Sequence, residues 1–150
     1  MLPFYVLIAS FLLFLVMGLL GLPYFEDWQT CLQGAVAVML LLTASAHWGK
    51  RRPDLIRMVP PVFPKPGWIV SVTGWLELAG AVGILFPATS QAASLGLAVL
   101  LIAMFPANVR AAKESLTIGG RPVPKLFLRT VLQLVFLTAV LLAGFADSPL

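Results

Sequence analysis

The stretch Gly67–Phe86, GWIVSVTGWLELAGAVGILF, decides the reading of this chain. It is twenty residues long. As a helix rising about 1.5 Å per residue it covers roughly 30 Å, the thickness of a bilayer's hydrocarbon core. Glu77 falls near its middle. An ionised carboxylate at that depth costs several kcal/mol, so the residue must be neutral, paired or turned towards a polar recess. Gly74, Gly80 and Gly83 surround it at i−3, i+3 and i+6. They predict a small-residue face that lets neighbouring helices come close.

Working outward, four further apolar runs appear: Leu2–Leu22, Thr30–Ala46, Gln91–Val109 and Leu126–Phe145. Thr30–Ala46 is the shortest, and His47 and Trp48 extend it to the interface. The chain of 150 residues is 60% hydrophobic and 11% charged, where a soluble domain carries about 25% charged residues. We read an all-α, polytopic membrane bundle: one transmembrane domain over residues 1–150 with five spans at about 2–22, 30–48, 67–86, 91–109 and 126–145. The first run lacks a basic leader and a small-residue cleavage site, so it reads as a retained helix rather than a signal peptide.

Charge placement sets an orientation. All ten basic residues lie in two segments: Lys50, Arg51, Arg52, Arg57 and Lys65 in the first, and Arg110, Lys113, Arg121, Lys125 and Arg129 in the second. Five spans put both on the side of the N-terminus. Glu26, Asp27, the turn Pro87–Ser90 and Asp147 fall on the other. The positive-inside rule then predicts an integral inner (cell) membrane protein with a cytoplasmic N-terminus and an external C-terminus. Its partners are the lipid bilayer and, through the basic loops, other membrane or cytoplasmic subunits. The positive charge belongs to anionic lipid rather than nucleic acid.

The first basic segment, HWGKRRPDLIRMVPPVFPKPG from His47 to Gly67, predicts a short helix opened by Pro53 and ended by Pro60, then a stiff proline strip. It reads as a rigid connector, with a lid over a cavity as the alternative. The second, Ala111–Lys125, reads as an ordinary linker turning at Gly119-Gly120.

Thr43, Ser45, His47, Ser71, Thr73, Asn108, Arg129 and Gln133 all fall in the cytoplasmic half. Facing inwards, they would line a cavity floored by Glu77, with Arg129 or His47 as its partner. Trp75, one turn away, would wall it. Other roles stand beside these: Glu77 as an interhelical tie, His47 as an interfacial residue, Asn108 answering the backbone freed by Pro106, and Gln133 as glue between helices. Trp28, Trp48 and Trp68 read as interface anchors.

One cysteine and one histidine exclude a disulfide, a CxxC pair, a cysteine metal cluster and bis-histidine haem within one chain. No metal site is expected, no catalytic residue can be named, and no cofactor is evident, a quinone being the one left open.

His47-Trp48, Pro53-Asp54-Leu55, Met58-Val59-Pro60-Pro61 and Pro64 together resemble a signature of DoxX-like membrane proteins. Gly74-Trp75-Leu76-Glu77-Leu78-Ala79-Gly80, continuing to Gly83, resembles that family's second helix, and Phe105-Pro106-Ala107-Asn108 the end of its third. The resemblance covers roughly residues 30–145. It implies a four-helix bundle, to which Leu2–Leu22 is an addition. It also implies a small non-catalytic subunit or assembly factor of a membrane complex, or a quinone- or lipid-binding oxidoreductase subunit. A carrier of a small apolar molecule is a further alternative, although the chain lacks the inverted repeats such carriers show.

Overall fold

A computed structural model describes residues 1–146; Asp147, expected on the external side, lies outside the described residues. The chain forms α1 (Leu2–Leu19), a 3-10 turn (Pro23–Phe25), α2 (Trp28–Ser45), α3 (Arg52–Met58), α4 (Pro66–Gly83), α5 (Ser90–Lys113), a small hairpin of β1 (Thr117–Ile118) and β2 (Arg121–Pro122), and α6 (Leu126–Phe145). Four helices are long and apolar enough to cross a membrane: α1, α2, α5 and α6. The 18-residue α4 is not among them. Glu77, Ser71, Thr73 and four glycines dilute its hydropathy.

Prolines and glycines place the element ends. Pro53 sits in the first turn of α3, where its missing N–H costs nothing. Val59, held extended at φ −62°, ψ 128° before Pro60, ends that helix. Lys65 adopts a left-handed φ of 55° and turns the chain into Pro66 and α4. Gly119 and Gly120 (φ 59° and 75°) make the two-residue turn that pairs β1 with β2, Ile118 opposite Arg121. The linker expected between α5 and α6 is thus a hairpin, and α5 runs four residues further than the apolar run.

The long helices pack antiparallel in sequence order. Thr43 of α2 faces Glu77 of α4. Gly83 of α4 lies against Ala93 of α5, and Gly80 against Leu97. Ser94 of α5 donates to the Val140 carbonyl of α6 at 2.8 Å. Gln29 and Gln33 of α2 close the ring, both donating to the Ala143 carbonyl of α6 (3.2 and 2.9 Å). α1 leans chiefly on α2 and the 3-10 turn, with Phe14 stacked on Phe25 of that turn at 4.6 Å and seated beside Gly34 of α2. Among its residues only Leu7 is buried.

The core of Val36, Met39, Leu40, Ala81, Ile84, Leu97 and Val140 fills the half of the bundle away from the basic connectors. There, small residues pull α4, α5 and α6 together; a Cβ on Gly144 would overlap Ser94. The glycines of α4 do not share one partner as expected: Gly74 serves the end of α2, while Gly80 and Gly83 serve α5. Towards the basic end α4 and α5 diverge. α5 carries Pro106 within its helix, and the wedge between the two is filled by α3 and the strip Val59–Pro66.

Both basic connectors meet at this end. Asp54 of α3 accepts from the Gly119 amide at 2.9 Å, and Arg110 donates to the Val59 carbonyl. The α-amino group of Met1 is there too: partial burial lowers its pKa, and the nearby Arg129 and Arg51 charges lower it further.

Candidate functional site

The site starts from a turn. α2 ends at Ser45, and the chain bends through Ala46 to His47, whose amide donates to the Ala44 carbonyl. Arg52 fastens that bend to α4: it donates to the His47 carbonyl (2.7 Å), the Gly67 carbonyl (2.8 Å) and Ser71 Oγ (3.0 Å). Gly74 provides the space for the imidazole. A Cβ there would lie 2.7 Å from His47 Cβ and 2.9 Å from the Trp48 ring.

Thus held, His47 is 4% exposed and Glu77 5%. Nδ1 of His47 lies 2.6 Å from the Val70 carbonyl, and Nε2 lies 3.3 Å from Glu77 Oε1. Thr43 Oγ1 stands 2.7 Å from Glu77 Oε2 and 3.0 Å from the Leu40 carbonyl. Thr73 Oγ1, 3.3 Å from Nδ1, has the Ile69 and Val70 carbonyls as its acceptors. A carbonyl only accepts, so Nδ1 carries a hydrogen. Nε2 then either donates, as imidazolium, to a carboxylate, or accepts from a protonated Glu77. Each arrangement places one proton between the two residues and leaves the pair without net charge, which is how a carboxyl is held in this interior.

Beside the pair is a cavity of about 420 Å³, within the range of about 300–1,000 Å³ typical of small-molecule sites. His47 and Thr73 supply its polar side chains; Met58, Phe63, Ile69 and Met104 are among its apolar walls. It contains no charged side chain other than His47, and Ala103, Pro106 and Phe63 on its wall are exposed on the outer surface of the bundle.

The structure brings together fewer of the expected residues than the sequence suggested. His47 is Glu77's partner; Arg129 is not. α6 packs on α5 and α2, so Arg129 reaches Asn108 at the end of α5 and donates to its Oδ1. Asn108 accepts there through Oδ1, and it is not among the residues that line the cavity. Gln133 acts as glue, donating to the Leu101 carbonyl at 2.6 Å, next to the Ile102 carbonyl that Pro106 leaves unmatched. Glu77 is not the cavity floor; it stands behind His47 and outside the lining. Trp75 is no wall: it is 64% exposed and packs edge-to-face on Trp48, ring centroids 5.2 Å apart. The proline strip roofs the cavity as well as connecting α3 to α4. Arg52 was not singled out from sequence; its place directly before Pro53, five residues from His47, was the available signal.

A ring of antiparallel apolar helices around a buried acid–histidine pair defines the class, an all-helical bundle with four candidate membrane-spanning helices among the described residues and an interior polar site. The chain belongs to the family described as a domain of unknown function (DUF8561), whose profile matches residues 36–143, from within α2 to near the end of α6. No curated protein and no solved structure matches it.

Proposed function

We propose that this chain is a five-span inner-membrane protein that binds a neutral, largely apolar molecule, of quinone or lipid class, beside the His47–Glu77 pair. The observation that carries the reading is the 420 Å³ cavity with His47 and Thr73 in an otherwise apolar wall. In such a wall only the Thr73 hydroxyl, by turning away from the Ile69 and Val70 carbonyls, can donate to one oxygen of a ligand, and nothing balances a full charge. Crossing by α4 is supported by its antiparallel packing between α2 and α5. A cytoplasmic N-terminus is supported by the gathering of basic residues at one end. Kinship with DoxX-like proteins rests on motif order alone, since the family match is to DUF8561.

Extraction and mass spectrometry of small molecules from the purified chain test the reading. Wild type should carry a neutral quinone or lipid, and Ala107→Phe, which fills the cavity, should carry much less. Equal recovery from a folded Ala107→Phe protein rejects it.

A second reading, a non-catalytic subunit or assembly factor, is favoured by the basic end. Among the described residues, Lys50, Arg51, Lys65, Lys113, Arg121 and Lys125 make no ion pair, so six cations are available to a partner. A protein that co-purifies with wild type, stays with Ala107→Phe and is lost when these six are neutralised would support it.

A further inference from the structure

A second recess lies on the other side of the proline strip, separate from the cavity that carries the proposed function. Its volume is about 400 Å³. Ile56, Val59, Pro60, Pro61, Phe63, Pro66 and Leu116 make it apolar, and Arg57, Arg110 and Glu114 give it charge. It shares Val59, Pro60 and Phe63 with the inner cavity, so the strip is a partition with a pocket on each face. It sits at the end where both basic connectors meet, the depth of lipid headgroups for a membrane-spanning bundle.

The charges in this recess are not spent on one another in a way that closes it. Arg110 Nε donates to Glu114 Oε1 at 2.9 Å, but the Glu114 side chain is 49% exposed, and pairs of that kind contribute little in water. Arg57, 60% exposed, pairs with Asp54 on its own helix, and Arg110 also donates to the Val59 carbonyl, which leaves each guanidinium with further N–H donors. The recess therefore presents two guanidinium groups, one carboxylate and a proline-lined apolar wall.

We propose that this recess is a headgroup site for a bilayer phospholipid carrying a phosphate and a primary ammonium. The phosphate faces Arg57 and Arg110, the ammonium faces Glu114, and the first acyl carbons lie along Phe63 and Pro61. Guanidinium groups match phosphate oxygens. A primary ammonium donates hydrogen bonds to a carboxylate, which a quaternary ammonium cannot. A headgroup without a cation leaves Glu114 opposed to the lipid's own negative charge.

The test is competition. The purified full-length chain in detergent is mixed with equal amounts of phosphatidylethanolamine, phosphatidylcholine and phosphatidylglycerol, and bound lipid is identified by native mass spectrometry. Phosphatidylethanolamine should exceed phosphatidylcholine by about fivefold, the worth of one partly exposed ion pair. Glu114→Gln should remove that preference, and Glu114→Lys should turn it towards phosphatidylglycerol; both changes are at the exposed C-terminal cap of α5, and an unchanged thermal midpoint checks that each variant is folded. Arg57→Gln should weaken retention of all three. Ala107→Phe blocks only the inner cavity and should leave the profile unchanged, so the two sites fail separately. Wild type that does not distinguish ethanolamine from choline, or Glu114 variants with the wild-type preference, would overturn the proposal. A profile altered by Ala107→Phe would move the lipid to the other side of the strip.

Discussion

Gly74 has room beside it for one imidazole and for nothing larger. A Cβ at that position would force His47 and Trp48 aside, and overpacking of this kind costs about 1–3 kcal/mol. Gly74→Ala should therefore lower the thermal midpoint in detergent and, in the same protein, weaken the His47–Glu77 contact. Glu77 invites a graded comparison. Glu77→Ala leaves His47 Nε2 without its partner, while Thr43 keeps the Leu40 carbonyl, at about 1–3 kcal/mol. Glu77→Gln keeps a donor and an acceptor in place and should cost less. Chemical denaturation in mild detergent measures both, and equal losses would show that the carboxyl group, rather than the hydrogen bonding, is what the interior requires. At this scale the sequence named both members of the pair, because an acid amid glycines and a lone histidine at a helix end are visible in one dimension. It misdirected Arg129 and Trp75. Their partners, Asn108 and Trp48, are fixed by which helices touch, and helix adjacency is not written in the spacing along any one helix.

The short elements were legible where a proline marks them. Pro53 and Pro60 bracket α3, and the residues between them do form the helix. The hairpin between α5 and α6 was readable only as a turn, because Gly119-Gly120 announces its tip while two-residue strands carry no periodicity. Asp54 ties that hairpin to α3. The Gly119 amide, then Arg57, hold its carboxyl below the ordinary carboxylate value of 3.8. A lowered folded pKa means the tie is complete above the ordinary value and is lost as pH falls through the lower one. The Gly119 amide resonance should accordingly titrate with a midpoint below 3.8, and Asp54→Asn should abolish the titration. A midpoint at or above the ordinary value would contradict the tie. Pro106 acts on a longer element. Pro106→Ala restores the N–H that the Ile102 carbonyl lacks. It should straighten α5, narrow the wedge beside α4 and reduce whatever small molecule co-purifies.

For the molecule as a whole, the count of crossings is the quantity to measure. With α4 crossing, both basic connectors share a side of the membrane. In a Cys31→Ala background, Lys50→Cys and Arg121→Cys should then react with an impermeant maleimide only from the cytoplasmic side, and Ala88→Cys only from outside. Labelling of Lys50→Cys and Arg121→Cys from opposite sides would contradict both the crossing by α4 and the Asp54–Gly119 bond that joins the two connectors. The number of long helices was evident from apolar run lengths alone. Whether α4, the third of them, crosses was not, since the residues that build its site are those that lower its hydropathy.

The first helix touches its neighbours through a narrow seam of Leu7, Phe11, Phe14 and Gly18, and in the proposed membrane setting the remainder of its surface would meet acyl chains. Hydrocarbon does not discriminate among leucine, isoleucine, valine and phenylalanine. Saturation mutagenesis should find that seam intolerant and the opposite side freely interchangeable within the aliphatic alphabet. A helix selected in this way would keep a record of its neighbours along one edge and only a record of its greasiness along the other.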